Sequence, residues 1–238
     1  MIRWHSITVV VLSLIIFSST AVGQIEAGLC LSMGPSRFID KSFYGDSKTH
    51  NNAALSGKIG FFFEKEISKK SILGFELNGS IIRGKTRIES DVYGYSSGLY
   101  LGEGYNEIHR KASYLTLPLY YSLRLSNLSL QIAIQVAVLV SDKNTQTFGV
   151  NGNDFYEIYG YDSYFGSIMV YDIATNVDYG FRLGANYKIS DRLAIELTYY
   201  KGLKDIYSEA PSFYPIYSLF TEQFLIGIRY TIFKSNGT

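Results

Sequence analysis

The chain has 238 residues, of which 47% are hydrophobic and 16% aromatic, and its formal net charge is +1. A nearly neutral chain offers no electrostatic basis for binding nucleic acid, so we expect no nucleic-acid partner. The single cysteine excludes an internal disulfide, and 21 tyrosines with only 4 prolines are typical of sheet rather than helix.

The first residues predict an export signal. A short n-region with Arg3 precedes an apolar run over residues 7–17, and Ala21 and Gly23 supply the small side chains that a signal peptidase requires. We therefore predict a signal peptide over residues 1–23 and one mature domain over residues 24–238.

Two other readings of this region stay open. The apolar run is short for a membrane-spanning helix, but a retained anchor is one alternative. Lipid attachment at Cys30 is another, although the bulky Leu29 precedes it and the cysteine lies well past the apolar run. Otherwise Cys30 is a small residue on the polar face of the first strand. No later segment approaches the ~20 continuous apolar residues of a spanning helix.

The mature chain predicts eight strands in which apolar and polar residues alternate. From Leu128 to Val140 every second residue is a large aliphatic, and the same period of two returns from Val177 to Ile189. The predicted strands are Glu26–Pro35, Leu55–Glu66, Ile72–Ile88, Ala112–Leu125, Leu128–Ser141, Val177–Ile189, Leu193–Asp205 and Phe220–Phe233.

The connections between these strands alternate between short and long. Short turns are predicted around Lys69, at Ser126–Asn127 and at Ser190–Arg192, and the connections between them are much longer. Tight periplasmic turns and long extracellular loops are typical of a transmembrane barrel, and an even strand number leaves no free edge. The fold class is therefore all-β: an eight-stranded antiparallel up-and-down transmembrane β-barrel.

The cost of burying charge in lipid decides which face points outward. A lysine or arginine facing the bilayer midplane costs about 2–4 kcal/mol, and reversing the Val177–Ile189 strand would expose both Arg182 and Lys188. The aliphatic face therefore meets lipid, with Tyr179 and Tyr187 near the two ends of the apolar band. A soluble lipocalin-like carrier would need the opposite arrangement, with the aliphatic face around an apolar ligand.

The polar face then gives a predicted barrel-interior charge network of five acids and five bases. We interpret it as a salt-bridged plug, because buried charges persist when paired; a narrow channel for ions or small solutes is the alternative. Its predicted members are Glu26, Lys58, Glu64, Glu76, Arg124, Asp178, Arg182, Lys188, Glu196 and Arg229.

Four segments resemble a known family of small barrels. Leu55–Glu64 resembles the glycine-aromatic second strand of the small outer-membrane barrels known as porin-family or PorT-family proteins in Bacteroidetes. Ser113–Tyr121 is similar to their fourth strand, Tyr179–Tyr187 to the sixth and Phe224–Tyr230 to the eighth.

This resemblance implies an outer-membrane location and insertion by the barrel-assembly machinery, which reads an aromatic C-terminal strand. Here five residues follow the last aromatic, Phe233, which departs from the family pattern. One branch of the family serves protein secretion, a role that we do not carry over. The family has no agreed catalytic site. We expect outer-membrane lipid as the surroundings, a monomer, and no cofactor.

The long loops are the main predicted interaction surface. Tyrosine mixed with glycine, serine and asparagine supplies rigid contact area and adaptable polar groups, so a surface ligand or envelope protein is the expected partner. The structural alternative is that the strands continue above the membrane and pack these tyrosines between them. The predicted loop residues are Tyr93, Tyr95, Tyr100, Tyr156, Tyr159, Tyr161 and Tyr164.

Catalysis and metal binding have little support. A rim-sited lipid-modifying enzyme would use His50, near Asp46 and Ser47, or His109, near Glu107, but only sequence proximity links these residues. Three acids of the third long loop could bind calcium loosely, but they lack an ordered calcium-loop pattern. These acids are Asp154, Glu157 and Asp162. We expect no enzyme and no metal site.

Overall fold

A computed structural model of the chain describes residues 23–41, 48–93, 100–150, 153–154, 176–206 and 218–235. Of the predicted signal peptide over residues 1–23, residues 1–22 lie outside these segments. The described strands are β1 (Ile25–Asp40), β2 (Lys48–Ser68), β3 (Ser71–Tyr93), β4 (Tyr100–Leu125), β5 (Leu128–Val150), β6 (Asn153–Asp154), β7 (Val177–Lys188), β8 (Leu193–Gly202) and β9 (Leu219–Lys234).

The eight long strands close into a ring of antiparallel neighbours. Each strand pairs with the next along the chain, β5 pairs with β7, and β9 returns to pair with β1. Among the described strands, the two-residue β6 pairs with the outer end of β5. The prediction of an eight-stranded antiparallel barrel is confirmed. In the described membrane-spanning part every strand is paired on both sides, as a membrane-spanning sheet requires.

The short turns and both described chain ends lie at one end of the barrel. Residues 69–70 join β2 to β3, residues 126–127 join β4 to β5, and residues 189–192 join β7 to β8. Ser235 donates its backbone N–H to the carbonyl of Ile25, which fixes the two termini beside each other. In outer-membrane barrels this is the periplasmic end.

The side chains divide between the two faces as the alternation predicts. Ile132 and Ile134 point outward with 59% and 72% of their surface exposed, whereas Arg182 and Glu196 are buried at 2% and 0%. The aliphatic face of the strands therefore meets lipid and the charges face the interior, so the lipocalin-like alternative is wrong. No helix in the described segments is long and apolar enough to cross a membrane.

Aromatic side chains flank the outward apolar band. Near the periplasmic end, the rings of Phe63 and Phe75 stack with centroids 5.4 Å apart, and Tyr187 is exposed. Tyr179 is exposed near the outer end of β7. Such girdles lie at the two membrane interfaces of transmembrane barrels.

Several strands extend farther on the extracellular side than predicted. β3 continues to Tyr93 and β4 begins at Tyr100, so most of the predicted loop over residues 89–111 is paired strand. β1 and β2 likewise shorten the predicted loop over residues 36–54, and β5 runs to Val150. The predicted strands ended where the aliphatic alternation ended. Backbone pairing continues beyond that point because polar residues satisfy the ladder equally well in water.

Two register shifts lie where the strands leave the apolar band. One falls between Ala53 and Gly57 in the β2–β3 ladder, and the other leaves Val140 unpaired in the β4–β5 ladder. A bulge adds one residue to one strand and changes which side chains point outward beyond it. We define the extracellular wall as the parts of β2–β5 beyond these two shifts.

The interior is layered along the barrel axis. Charged and polar side chains occupy the middle, and an apolar layer lies between them and the extracellular end. The buried members of this apolar layer are Phe38, Ile82, Ala112, Tyr114, Ala137, Ile206 and Leu219.

Candidate functional site: the charged interior and the extracellular wall

Glu76 lies at the centre of the interior charges. Both of its carboxylate oxygens accept hydrogen bonds from Arg182, at 2.6 and 2.8 Å, in a bidentate pair across the barrel from β3 to β7. Lys58 from the neighbouring β2 donates at 3.1 Å to the same carboxylate. Alternation in each strand places all three side chains inside, because each occupies the inward phase of its own strand.

A second part of the network surrounds Glu196 and Glu64. Lys58 also lies 2.7 Å from Glu196, so one ammonium group bridges two acids. The Arg229 guanidinium contacts Glu64 at 2.9 Å and lies 4.1 Å from the centroid of the Phe62 ring. Stacking on an aromatic face suits arginine better than lysine. The network thus links five strands.

Three polar residues that were not among the predicted interior residues complete these contacts. The Tyr120 hydroxyl donates to Glu64 at 3.0 Å and accepts from Arg229 at 2.9 Å. Asn78 donates to Glu76 at 3.0 Å, and Ser32 donates to Glu196 at 2.8 Å. All three lie on the inward phase of predicted strands, which is the signal that could have identified them.

The remaining predicted charges lie toward the periplasmic mouth. Lys188 and Lys234 approach Glu26 at 3.5 and 3.3 Å, and Arg124 pairs with Glu66. A cavity at this end is lined by Glu26, Lys188 and Arg229, among others. Glu66 and Lys234 were not among the predicted charges. These pairs are more exposed than those of the middle layer.

Asp178 differs from the other predicted interior acids. It is 1% exposed and accepts hydrogen bonds from the hydroxyls of Tyr200 at 3.1 Å and Thr221 at 2.6 Å, rather than from a base. The predicted equality of five acids and five bases therefore does not correspond to five ion pairs.

A further buried pair lies beyond the apolar layer, toward the extracellular end. Arg110 approaches Asp40 at 3.5 Å and donates to Thr86 at 3.0 Å. Asn51 donates at 3.1 Å to the backbone carbonyl of Asp40 and so joins β2 to β1. These residues lie in predicted loops or near the end of a predicted strand, so they were not among the predicted interior charges.

The outward face of the extracellular wall carries a row of charge pairs. Glu107 lies 2.5 Å from Lys85 and 2.7 Å from His109, and Arg87 lies 4.3 Å from the centroid of the Tyr105 ring. Burial alone would raise the pKa of Glu107, but hydrogen bonds from Lys85 and His109 outweigh it and hold that pKa below the ordinary carboxyl value. Opposite charges therefore stabilise cross-strand pairs here.

The predicted loop tyrosines are only partly covered by the structure. Tyr93 and Tyr100 pair as backbone partners at the tips of β3 and β4. The other five, Tyr95, Tyr156, Tyr159, Tyr161 and Tyr164, lie outside the described residues. At these two positions the backbone is paired strand rather than loop.

The two candidate histidines lie on the outward face of the wall. His109 contacts Glu107, and His50 lies 3.7 Å from Glu89. Asp46 and Ser47, the predicted neighbours of His50, lie outside the described residues. Within the described segments no serine hydroxyl is hydrogen-bonded to either histidine, so no triad geometry is assembled there.

The described segments contain no group of three or more His, Cys, Asp or Glu side chains that could hold a metal ion. Of the three acids considered for calcium, Asp154 forms part of β6, whereas Glu157 and Asp162 lie outside the described residues.

A closed antiparallel barrel with an apolar outer wall, aromatic girdles and a charged interior is a transmembrane β-barrel. A sequence profile described as "Outer membrane protein beta-barrel domain" matches residues 19–208. The chain belongs to this family and is a protein of the bacterial outer membrane, embedded in its lipid.

Several solved structures show a distant likeness. Ail, the attachment invasion locus protein of Yersinia pestis, aligns at 10% identity and a TM-score of 0.37, covering 88% of this chain and 99% of Ail. Neisserial surface protein A aligns at 11% identity and a TM-score of 0.35 (89% and 98% coverage). OprG from Pseudomonas aeruginosa aligns at 13% identity and a TM-score of 0.37 (90% and 95%). No curated protein sequence matches the chain.

Proposed function

We propose that this protein is a sealed outer-membrane anchor that presents its extracellular wall and connecting loops to a partner at the cell surface. The observation that carries the proposal is the unequal length of the strands. β2–β5 have 21, 23, 26 and 23 residues, whereas β7 and β8 have 12 and 10. Spanning the membrane does not require this extra length, since a transmembrane strand needs about 9–11 residues.

The composition of the loops supports a binding role for the tip of the wall. From Arg83 to Tyr93, β3 extends roughly 30 Å beyond the apolar band at about 3.3 Å per residue. This length carries Tyr93 and Tyr100 away from the lipid surface. Tyrosines at such a tip offer amphipathic contact area with little loss of side-chain entropy on binding. The partner class that fits is a glycan or protein surface.

Two closed layers favour an anchor over a porin-like channel. A permeating ion would have to cross both the apolar layer around Phe38 and Leu219 and the paired charges around Glu76. Desolvating an ion in the apolar layer is costly, and the charges of the middle layer are already paired with each other.

Deleting residues 151–166 tests the binding role of the third loop. A second variant replaces the seven loop tyrosines by serine: Tyr93, Tyr95, Tyr100, Tyr156, Tyr159, Tyr161 and Tyr164. Each purified protein is reconstituted in nanodiscs and applied to a panel of surface glycans and extracellular-matrix proteins. We expect both variants to lose at least tenfold in binding while keeping the heat-modifiable gel mobility of a folded barrel.

The matched control is a variant with His50→Ala and His109→Ala, which keeps every loop tyrosine. We expect it to bind the panel like the wild type. Mass spectra of lipid A from cells expressing the wild-type protein or this variant test the enzyme alternative at the same time. Unchanged binding by both tyrosine-deficient proteins would contradict the proposed function and leave these residues a structural role.

A further inference from the structure

Three exposed bases lie side by side where the sheet leaves the membrane. Arg83 of β3 is the direct cross-strand partner of Lys111 of β4, and Lys111 is the partner of Lys143 of β5. All three side chains are exposed on the outward face. Directly opposite residues have Cβ atoms about 4.5–5.5 Å apart, so this cationic row concentrates three positive charges in one patch.

The cationic row has no acidic partner in the described part of the chain. Two bases on the opposite side of the barrel rim do have an acidic partner. Arg37 lies 2.5 Å from Glu222, and Lys201 lies 3.7 Å from the same carboxylate. Like charges placed directly opposite each other repel, so the row is unfavourable unless an anion from outside the chain neutralises it.

The bulge in β5 creates this like-charge arrangement. Up to Val138 the even-numbered residues of β5 face outward; the unpaired Val140 shifts the register, and beyond it Ser141 and Lys143 face outward. Without the extra residue, Asp142 would take the outward phase beside Lys111 and neutralise it. Because the extra residue is present, Asp142 is instead paired with the inward Ala112. Bulges commonly re-aim side chains at functional positions.

At the other register shift, in the β2–β3 ladder, hydrogen bonds hold the Arg83 backbone in place. The hydroxyls of Ser36 and Ser56 accept hydrogen bonds from the Arg83 N–H at 2.9 and 3.0 Å, and Ser36 donates to the Arg83 carbonyl at 2.7 Å. The β3 backbone is therefore fixed from the inside at the residue whose side chain points toward the membrane surface.

The depth of the cationic row identifies the source of the anion. Two residues toward the membrane, the outward positions are Ile81, Ser113 and Ser141, and beyond them begins the apolar band with Leu77 and Leu115. Two residues correspond to about 7 Å along a strand. The bases thus lie at the depth of lipid headgroups, and serine hydroxyls lie between the two lysines and the hydrocarbon.

From this geometry we propose that Arg83, Lys111 and Lys143 bind the phosphate of an outer-leaflet lipid headgroup. Arginine presents a planar fork that matches phosphate oxygens, and the two lysines add point charges. The acyl chains of the same lipid would continue along the apolar band beneath. This lipid site goes beyond the proposed partner-binding function and does not depend on the loops.

The test compares lipid binding by the wild type and two matched variants in detergent. One variant carries Arg83→Gln, Lys111→Gln and Lys143→Gln; the control carries Arg37→Gln and Lys201→Gln, which removes rim bases that already have an acidic partner. The probes are phosphorylated lipid A, dephosphorylated lipid A and inorganic phosphate. Native mass spectrometry counts bound lipid, and the unfolding temperature is measured with and without each probe.

We expect wild type and control to bind phosphorylated lipid A at least tenfold more tightly than the dephosphorylated lipid, and to gain thermal stability from it. The triple variant should lose both effects. Without lipid it should be as stable as the wild type or more so, because the repulsion is gone, which shows that it folds. Equal lipid binding by the triple variant, equal binding of the dephosphorylated lipid, or competition by inorganic phosphate at the lipid's own concentration would overturn the proposal.

Discussion

Glu76 shows how a charged interior can remain stable inside a membrane barrel. A buried carboxylate is costly unless its oxygens are occupied by opposite charges and hydrogen-bond donors. Arg182, Lys58 and Asn78 fill this role, and the Glu76 side chain has no solvent exposure. Arg182 forms its bidentate ion pair with Glu76, and Lys58 divides its contacts between Glu76 and Glu196, so the network depends strongly on its central acid.

Replacing Glu76 with Gln should therefore destabilise the barrel strongly. The substitution preserves shape but leaves the buried guanidinium of Arg182 without its bidentate counter-ion. Removing one partner of a buried pair costs about 3–5 kcal/mol. Urea unfolding in lipid vesicles measures the change in unfolding free energy, with the gel mobility of the folded barrel as the readout.

The control for this prediction is Glu89→Gln on the extracellular wall. Glu89 lies 2.7 Å from Arg87, but both side chains are about 40% exposed. Exposed pairs contribute about 0–1 kcal/mol, so this variant should unfold close to the wild type. Similar losses for both substitutions would contradict a central role for Glu76.

The stability of the wall should depend on pH through Glu107. Its folded-state pKa is lowered, so the unfolded chain takes up a proton at higher pH than the folded one. The stabilisation is present above the ordinary carboxyl pKa of about 4.3 and is lost as the pH falls through the lower folded value. The stabilisation that Glu107 gives the wild type over Glu107→Gln should be present at pH 5 and shrink below pH 4. A constant difference down to pH 2 would contradict this assignment.

At the residue scale the sequence could predict the face of a side chain but not its partner. Alternation alone indicated that Arg182 and Glu76 point inward, because a period of two fixes the face of each residue. It could not show that they meet across the barrel, since that depends on the stagger between strands that are distant in sequence. Asp178, expected in a charge network, instead binds hydroxyls of β8 and β9.

At the element scale the lipid-facing part of each strand could be predicted, but its outer end could not. Hydrophobic alternation reports where lipid ends, and β3 and β4 continue as polar ladders beyond that point. The sequence does not indicate the bulge at Val140 either, because Val140 continues the alternation of aliphatic residues that begins at Leu128. Only cross-strand pairing shows that one residue has been added.

The hairpin between β4 and β5 offers a prediction at this scale. Ser126 has a φ of 59°, the only positive φ of a non-glycine residue in the described segments. A side chain in this region costs about 1–2 kcal/mol, whereas glycine loses about 0.5–1 kcal/mol more backbone entropy on folding. Ser126→Gly should therefore stabilise the barrel by roughly 0.5 kcal/mol, measured as a higher midpoint of urea unfolding.

Asn127→Gly is the matched control at the neighbouring turn position. Asn127 has no positive φ, so glycine there brings the entropic cost without relieving strain. This variant should be neutral or slightly destabilised. If both glycine variants shift the midpoint in the same direction, the backbone strain at Ser126 does not determine turn stability.

At the scale of the whole molecule, the barrel combines a closed ring with an uneven outer rim. The ring closes where β1 and β9 pair, with Leu29 opposite Tyr230. Opposite this seam rise β3, β4 and β5, the three longest strands of the extracellular wall. The long strands can project because two layers, the charge network and the apolar layer, fill the barrel interior beneath them. A rigid base of this kind supports a surface role.

The same two layers predict that the barrel does not conduct ions. Purified wild-type protein in planar bilayers should give no steady single-channel steps, because an ion must shed its water in the apolar layer before it reaches the paired charges. A variant with Phe38→Ala and Leu219→Ala opens only the apolar layer, so Arg182 and Glu76 should still block the path. Adding Glu76→Gln to that variant should give leakage, since it also breaks the pairing in the middle layer. Steady steps from the wild type would contradict the sealed anchor and favour the channel alternative.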